Sequence, residues 1–166
     1  MVAVNMVASR TLESRSHKKG NGPIVIDQCH YVEALEFMSC KHLDPNKKLP
    51  STETTNYRAL CGSLSWAAIN TRPDKALDVS WQASRGENAT PTDAKFGNSI
   101  MRSMKQNPLR FTFASISENV KDWRLATFHD AGWATGQSLH SQAGAAIFVA
   151  DKSVLEGKRG KAMMVE

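Results

Sequence analysis

"NYRALCGSLSWAAINTRPD", residues 56–74, decides the fold of the first half of the chain. Tyr57, Leu60, Cys61, Leu64, Ala68 and Ile69 recur at intervals of three and four, which lays one apolar stripe along an α-helix. Gly62 and Ser65 are small enough to let a neighbour approach that helix closely. Asn70 and Thr71 then break it. Pro73 stands where the first turn of a new helix tolerates proline, and Asp74 suits the positive end of that turn. The spacing predicts two packed helices meeting at a Thr-Arg-Pro-Asp corner. The second runs over residues 73–85, with Ala76, Leu77, Val79, Trp81 and Ala83 as its apolar positions and Gly86 as its stop.

Working towards the N-terminus, residues 42–55 contain two prolines and many turn formers and read as a loop. "CHYVEALEFM", 29–38, places Tyr31, Leu35 and Met38 on one helical face, with Ala34 and Phe37 alongside. "PIVIDQ", 23–28, reads as a short β-branched strand. Residues 1–22 are polar and glycine-punctuated, and read as an arm outside the core.

Working towards the C-terminus, "TPTDAKFGNSIMRSMKQNP" reads as a third helix of the corner type. Thr90 caps it, Pro91 begins it, and Asp93 answers Thr90 as an acidic capping box. Gly97, Ile100, Met101 and Met104 form its buried stripe, and Asn107–Pro108 ends it. After Pro108 the period changes to two. "LRFTF", "RLATFHDA" and "SQAGAAIFVAD" alternate as strands of an antiparallel meander, and "KAMMVE" could start a fourth. Helices followed by such a meander make an α+β chain, with a boundary between Pro108 and Asp122.

The totals agree with a folded chain. It has 166 residues, 41% of them hydrophobic, and a formal net charge of +5. No apolar run approaches the roughly 18–20 residues of a membrane span. Three cysteines, Cys29, Cys40 and Cys61, follow no regular spacing, which fits free thiols in a reducing compartment. Excess positive charge favours polyanions by counterion release, although this charge is spread along the chain.

Few residues carry chemistry outright. Asp130 ends an apolar strand on the face of Phe128, where partial burial of its charge needs a positive partner such as Mg²⁺. The plainer reading is an aspartate bonding nearby backbone amides. Cys29, His30, Cys40 and His42 lack the short paired spacing of a structural zinc site. Ser138, His140 and Ser141 lie in a polar turn without a nucleophile elbow. Among the tryptophans, whose rings could stack on bases, Trp66 and Trp81 lie near helical stripes and suit core packing, and Trp133 is the better candidate for exposure.

Taken together, these residues resemble a family. "NYRALCGSLSWAAINTRPD" resembles the Tyr-Arg-x-x-x-Gly-Ser-Leu…Thr-Arg-Pro-Asp signature of copia-type LTR-retrotransposon Pol polyproteins. "IVIDQCHYVEAL" is similar to the family's strand and helix just downstream of the polymerase palm. "TDAKFGNSIMRSMKQNPLRFTF", with Asn98, Arg102 and Lys105, resembles the helix and strand before RNase H. "FHDAGWA" and "SQAGAAIFVAD" resemble the first two RNase H strands. The resemblance implies a disordered arm over 1–22, a reverse-transcriptase thumb or connection region over 23–113, and the truncated start of an RNase H-like fold over 114–166.

It further implies contact with an RNA/DNA hybrid or duplex through Arg58, Arg72, Arg102, Lys105 and Trp133. For Arg72 the alternative is that it pairs with Asp74 and holds the corner. Asp130 matches the first of four RNase H carboxylates that hold two metal ions. The intact family enzyme uses Mg²⁺; here the later carboxylates and the polymerase Tyr-x-Asp-Asp are not found, and Gly132 replaces the usual acidic or polar residue. The expectation is a fragment that helps hold a hybrid beside the rest of the Pol polyprotein. It would bind no metal stably, lack activity alone, need no membrane, and work in a cytoplasmic virus-like particle or the nucleus. A basic binding module without chemistry, or the product of a decayed element, are the alternatives.

Overall fold

A computed structural model describes residues 23–132 and 142–165. Their elements run β1 (Ile24–Asp27), α1 (Cys29–Ala34), α2 (Ser51–Asn70), α3 (Ala76–Arg85), α4 (Pro91–Gln106), β2 (Arg110–Phe113), β3 (Trp123–Gly132), β4 (Gln142–Asp151), α5 (Lys152–Leu155) and β5 (Ala162–Met164). The chain is α+β, helices first and antiparallel strands after. It divides between Phe111 and Thr112 into a helical unit and a sheet unit. No described helix is long and apolar enough to cross a membrane.

The helical unit is built around α2. Tyr57, Leu60, Cys61, Leu64 and Ala68 are buried as their spacing predicts, joined by Ala67. Ile69, placed on the stripe by its spacing, is 76% exposed instead. It lies in the last turn beside buried Ala68 and Thr71, on the side of the helix that faces solvent. Gly62 also faces outward, since a methyl group there meets nothing within 4 Å. The close approach occurs at Gly97 on α4, where an added Cβ would stand 3.0 Å from Leu60 Cδ2.

α2 begins earlier than the turn formers suggest, at Ser51 rather than after Thr55. The hydroxyl of Thr54 donates to the Pro50 carbonyl at 3.0 Å and that of Thr55 to Ser51 at 3.2 Å. Bonded four residues back, these side chains run along the helix and no longer compete with it. The corner forms as expected: Thr71 closes α2, Pro73–Lys75 make a single tight turn, and α3 follows.

α3, however, buries a different face. Val79 and Gln82 are its buried residues, while Leu77 is 66% exposed. Gln82 is buried because the Tyr57 hydroxyl lies 2.6 Å from its main-chain carbonyl and 2.8 Å from its side-chain oxygen. Gly86 ends α3 at φ 50°, a conformation that suits glycine. α4 matches its sequence closely: Thr90 and Asp93 form the capping box, and Gly97, Ile100, Met101 and Met104 are buried.

α1 is shorter than its apolar spacing suggests, ending at Ala34. Tyr31, Leu35 and Met38 still pack against the core, the last two from non-helical chain. β2 pairs with β1 rather than with the meander, so the alternation in "LRFTF" belongs to a separate two-stranded sheet.

In the sheet unit, β3, β4 and β5 form an antiparallel sheet in that order. The register sets Thr127 opposite Ile147 and Asp130 opposite Gly144 without a bulge. Both faces are apolar. One carries Ala126, Phe128, Phe148 and Met164; the other carries Leu125, Ile147, Val149 and Met163. Phe128 and Phe148 meet edge to face, centroids 5.6 Å apart. Such a pattern suits a sheet covered on both sides, yet Leu125 and Phe128 are 69% and 66% exposed.

Candidate nucleic-acid interface

The helical unit brings Arg102 and Lys105 together with an aromatic ring that the sequence analysis did not single out for a site. Asn98 on α4 holds the chain after α1 by two bonds to Met38, accepting its N–H at 3.0 Å and donating to its carbonyl at 2.8 Å. Lys105, two turns further along α4, donates to the carbonyls of Glu33 at 3.0 Å and of Leu35. These are carbonyls at the end of α1, where a cation is favourable. Segment 35–38 is thus pinned to α4, and Phe37 faces outward, 47% exposed.

The Arg102 guanidinium lies 5.5 Å and the Lys105 ammonium 5.0 Å from the centroid of the Phe37 ring. Each cation is attracted by the ring quadrupole. An exposed ring flanked by positive charge can stack a base while the cations meet the adjoining phosphates. Lys105 contributes mainly by holding the platform, because its donors already face two carbonyls. Arg102 is exposed and is the cation presented to solvent.

The other predicted contacts lie elsewhere. Arg58 is exposed and pairs with Glu87 at 2.8 Å, near the start of α4 rather than its last turns. A phosphate can displace Glu87, since an exposed ion pair is worth only about 0–1 kcal/mol. Arg72 serves the corner. It is 4% exposed, grips Asp74 through Nε at 2.9 Å and Nη2 at 2.8 Å, and donates Nη1 to the Met104 carbonyl at 3.1 Å. Of the two roles weighed for Arg72, its contacts serve the structural one. The guanidinium holds the Asp74 carboxyl below the usual carboxylate range, partly offset by burial. Trp133 and the turn with Ser138, His140 and Ser141 lie outside the described residues.

Asp130 is exposed, not partly buried as its strand position suggests. Its Oδ1 accepts the Ala131 N–H at 2.8 Å, the plainer of its two readings. Among the described residues no three His, Cys, Asp or Glu side chains gather to hold a metal ion. Two divalent ions need several carboxylates at once, and among the described residues Asp130 is not joined by two such partners. Asp151 caps α5 instead, its Oδ1 accepting from Ser153 N–H at 2.9 Å. The three cysteines are free, and burial raises the thiol of Cys61.

No family model, no curated protein and no solved structure matches the chain.

Proposed function

We propose that the chain is a segment of a copia-type Pol polyprotein whose helical unit helps to hold an RNA/DNA hybrid, and that alone it performs no cleavage or polymerisation. The observation that carries the reading is the exposed Phe37 ring with Arg102 and Lys105 beside it. It supplies both parts of a sequence-tolerant grip, a stacking face and charge for the backbone. The Tyr57–Asp74 block that carries the resemblance supports the reading in another way. Tyr57, Leu64, Thr71 and Arg72 are among its buried residues and build the frame behind α4. Such a segment would act beside the remainder of the polyprotein, in a cytoplasmic particle or the nucleus, with Mg²⁺ belonging to the intact enzyme.

Two measurements test this. Anisotropy titrations with labelled RNA/DNA hybrid at low ionic strength are expected to show salt-sensitive binding; absence of binding refutes the grip. Incubation of hybrid with the chain and Mg²⁺ is expected to leave it uncut, and Asp130→Asn to change nothing. Cleavage that depends on Asp130 refutes the non-catalytic half of the proposal.

A further inference from the structure

Strand β3 is ten residues long and stands first in the order β3-β4-β5, so among the described residues its outer edge has no strand partner. The direction of its backbone groups follows from the bonds of β4. Val165 N–H donates to the Ile147 carbonyl at 2.8 Å and Asp151 N–H to the Lys161 carbonyl at 3.0 Å. Odd-numbered residues of β4 therefore turn towards β5. Thr127 faces Ile147 in the pairing, so the N–H and C=O of Thr127, with those of Leu125 and His129, point to the open edge. Natural edges are guarded by charged side chains, proline, a bulge or a covering element. "WRLATFHDAG" has no proline, lysine or bulge, and its two charges, Arg124 and Asp130, are of opposite sign.

We propose that this edge pairs antiparallel with β3 of a second copy of the chain, about a two-fold axis through Thr127. In that register Leu125 meets His129 and Ala126 meets Phe128, a small residue beside a large one. Arg124 meets Asp130 of the other copy, twice over. Arg124 and Asp130 are even-numbered, so they fall in the narrow pairs where side chains approach most closely. Both already bond backbone groups of that edge, local contacts that the pairing exchanges for contacts with the second copy. Arg124 Nη1 donates to the Trp123 carbonyl at 2.8 Å, and Asp130 accepts from the Ala131 N–H at 2.8 Å; both backbone groups belong to odd-numbered residues. Slipping by two residues sets Asp130 against Asp122 or against Ala126, so charge selects one register. The pairing is isologous and closes on itself.

Sedimentation velocity on the full chain without nucleic acid, over a range of concentrations, tests the proposal independently of any hybrid binding. The wild type is expected to dimerise. Arg124→Asp and Asp130→Arg each set like charges opposite one another and are expected to weaken the dimer about tenfold. The double variant R124D/D130R restores opposite signs and is expected to restore dimerisation. Thr127→Pro removes an N–H that β4 does not use, so it is expected to give a folded monomer by circular dichroism. A wild type that stays monomeric at every concentration overturns the proposal. So does a dimer that tolerates either single reversal or the proline.

Discussion

Arg72 shows how much one side chain can organise. The buried guanidinium joins Asp74 at the corner to the Met104 carbonyl near the end of α4, where positive charge is favourable. Lysine cannot reproduce three bonds from one planar fork. Arg72→Lys is expected to cost about 2 kcal/mol in urea unfolding, and Arg72→Ala about 3 kcal/mol, discounted because Asp74 is half-exposed. Asp74 titrates below its usual range in the folded chain. The stability it lends is therefore present above about pH 4 and lost as pH falls through its depressed folded value. Arg72→Ala should flatten that acid limb. Tyr57 poses the opposite case. Burial raises its phenol far above the ordinary value, so the stability it lends is complete below about pH 10 and lost as pH rises beyond. Tyr57→Phe is expected to cost about 1–3 kcal/mol by leaving Gln82 without its donor, and to remove the alkaline step from the unfolding profile.

Among the elements, α4 is set by local rules and by one glycine. The Thr90 N–H bonds Asp93 at 2.8 Å, the returning half of its capping box, and Thr90→Ala is expected to lower urea stability by about 1 kcal/mol. Gly97 packs closely against Leu60, whose Cδ2 would stand 3.0 Å from an added Cβ. Gly97→Val is expected to cost about 2–3 kcal/mol by overpacking. These features were legible in the sequence because a cap and an apolar stripe are written within one turn of where they act. The same holds for the corner and for the β3–β4 alternation. What sequence periodicity missed depends on distant partners. Gln82 reads as a solvent-facing residue until Tyr57, 25 positions away, comes to meet it. Phe37 reads as a flanking apolar residue until Asn98 and Lys105 hold its segment out of α1. The sequence points to Arg102 and Lys105 as contacts, but not to their aromatic companion. Asp130 carries two readings in the sequence, a metal ligand and an aspartate bonding nearby backbone amides, and its carboxylate takes the N–H of Ala131 as the second has it.

At the scale of the whole molecule, a net charge of +5 already favours a polyanion, so binding alone says little about the platform around Phe37. The salt dependence separates the contributions. Each phosphate neutralised adds about 0.7–0.9 to the slope of log K against log salt. Arg102→Ala is expected to weaken hybrid binding and reduce that slope by about 1, because it removes a cation presented to solvent. Phe37→Ala is expected to weaken binding by about 1–3 kcal/mol with the slope unchanged, since stacking displaces no counterion. Arg72→Ala should leave the slope unchanged wherever the variant is folded, because that guanidinium faces Asp74 and a carbonyl rather than solvent. Lys105→Ala releases segment 35–38 as well as a charge, so it should reduce affinity by more than its slope accounts for. Titrations of the four variants across salt concentrations check this pattern. Equal slopes for wild type and Arg102→Ala, with affinity untouched by Phe37→Ala, would place the grip elsewhere on the surface, with Arg58 the next residue to examine.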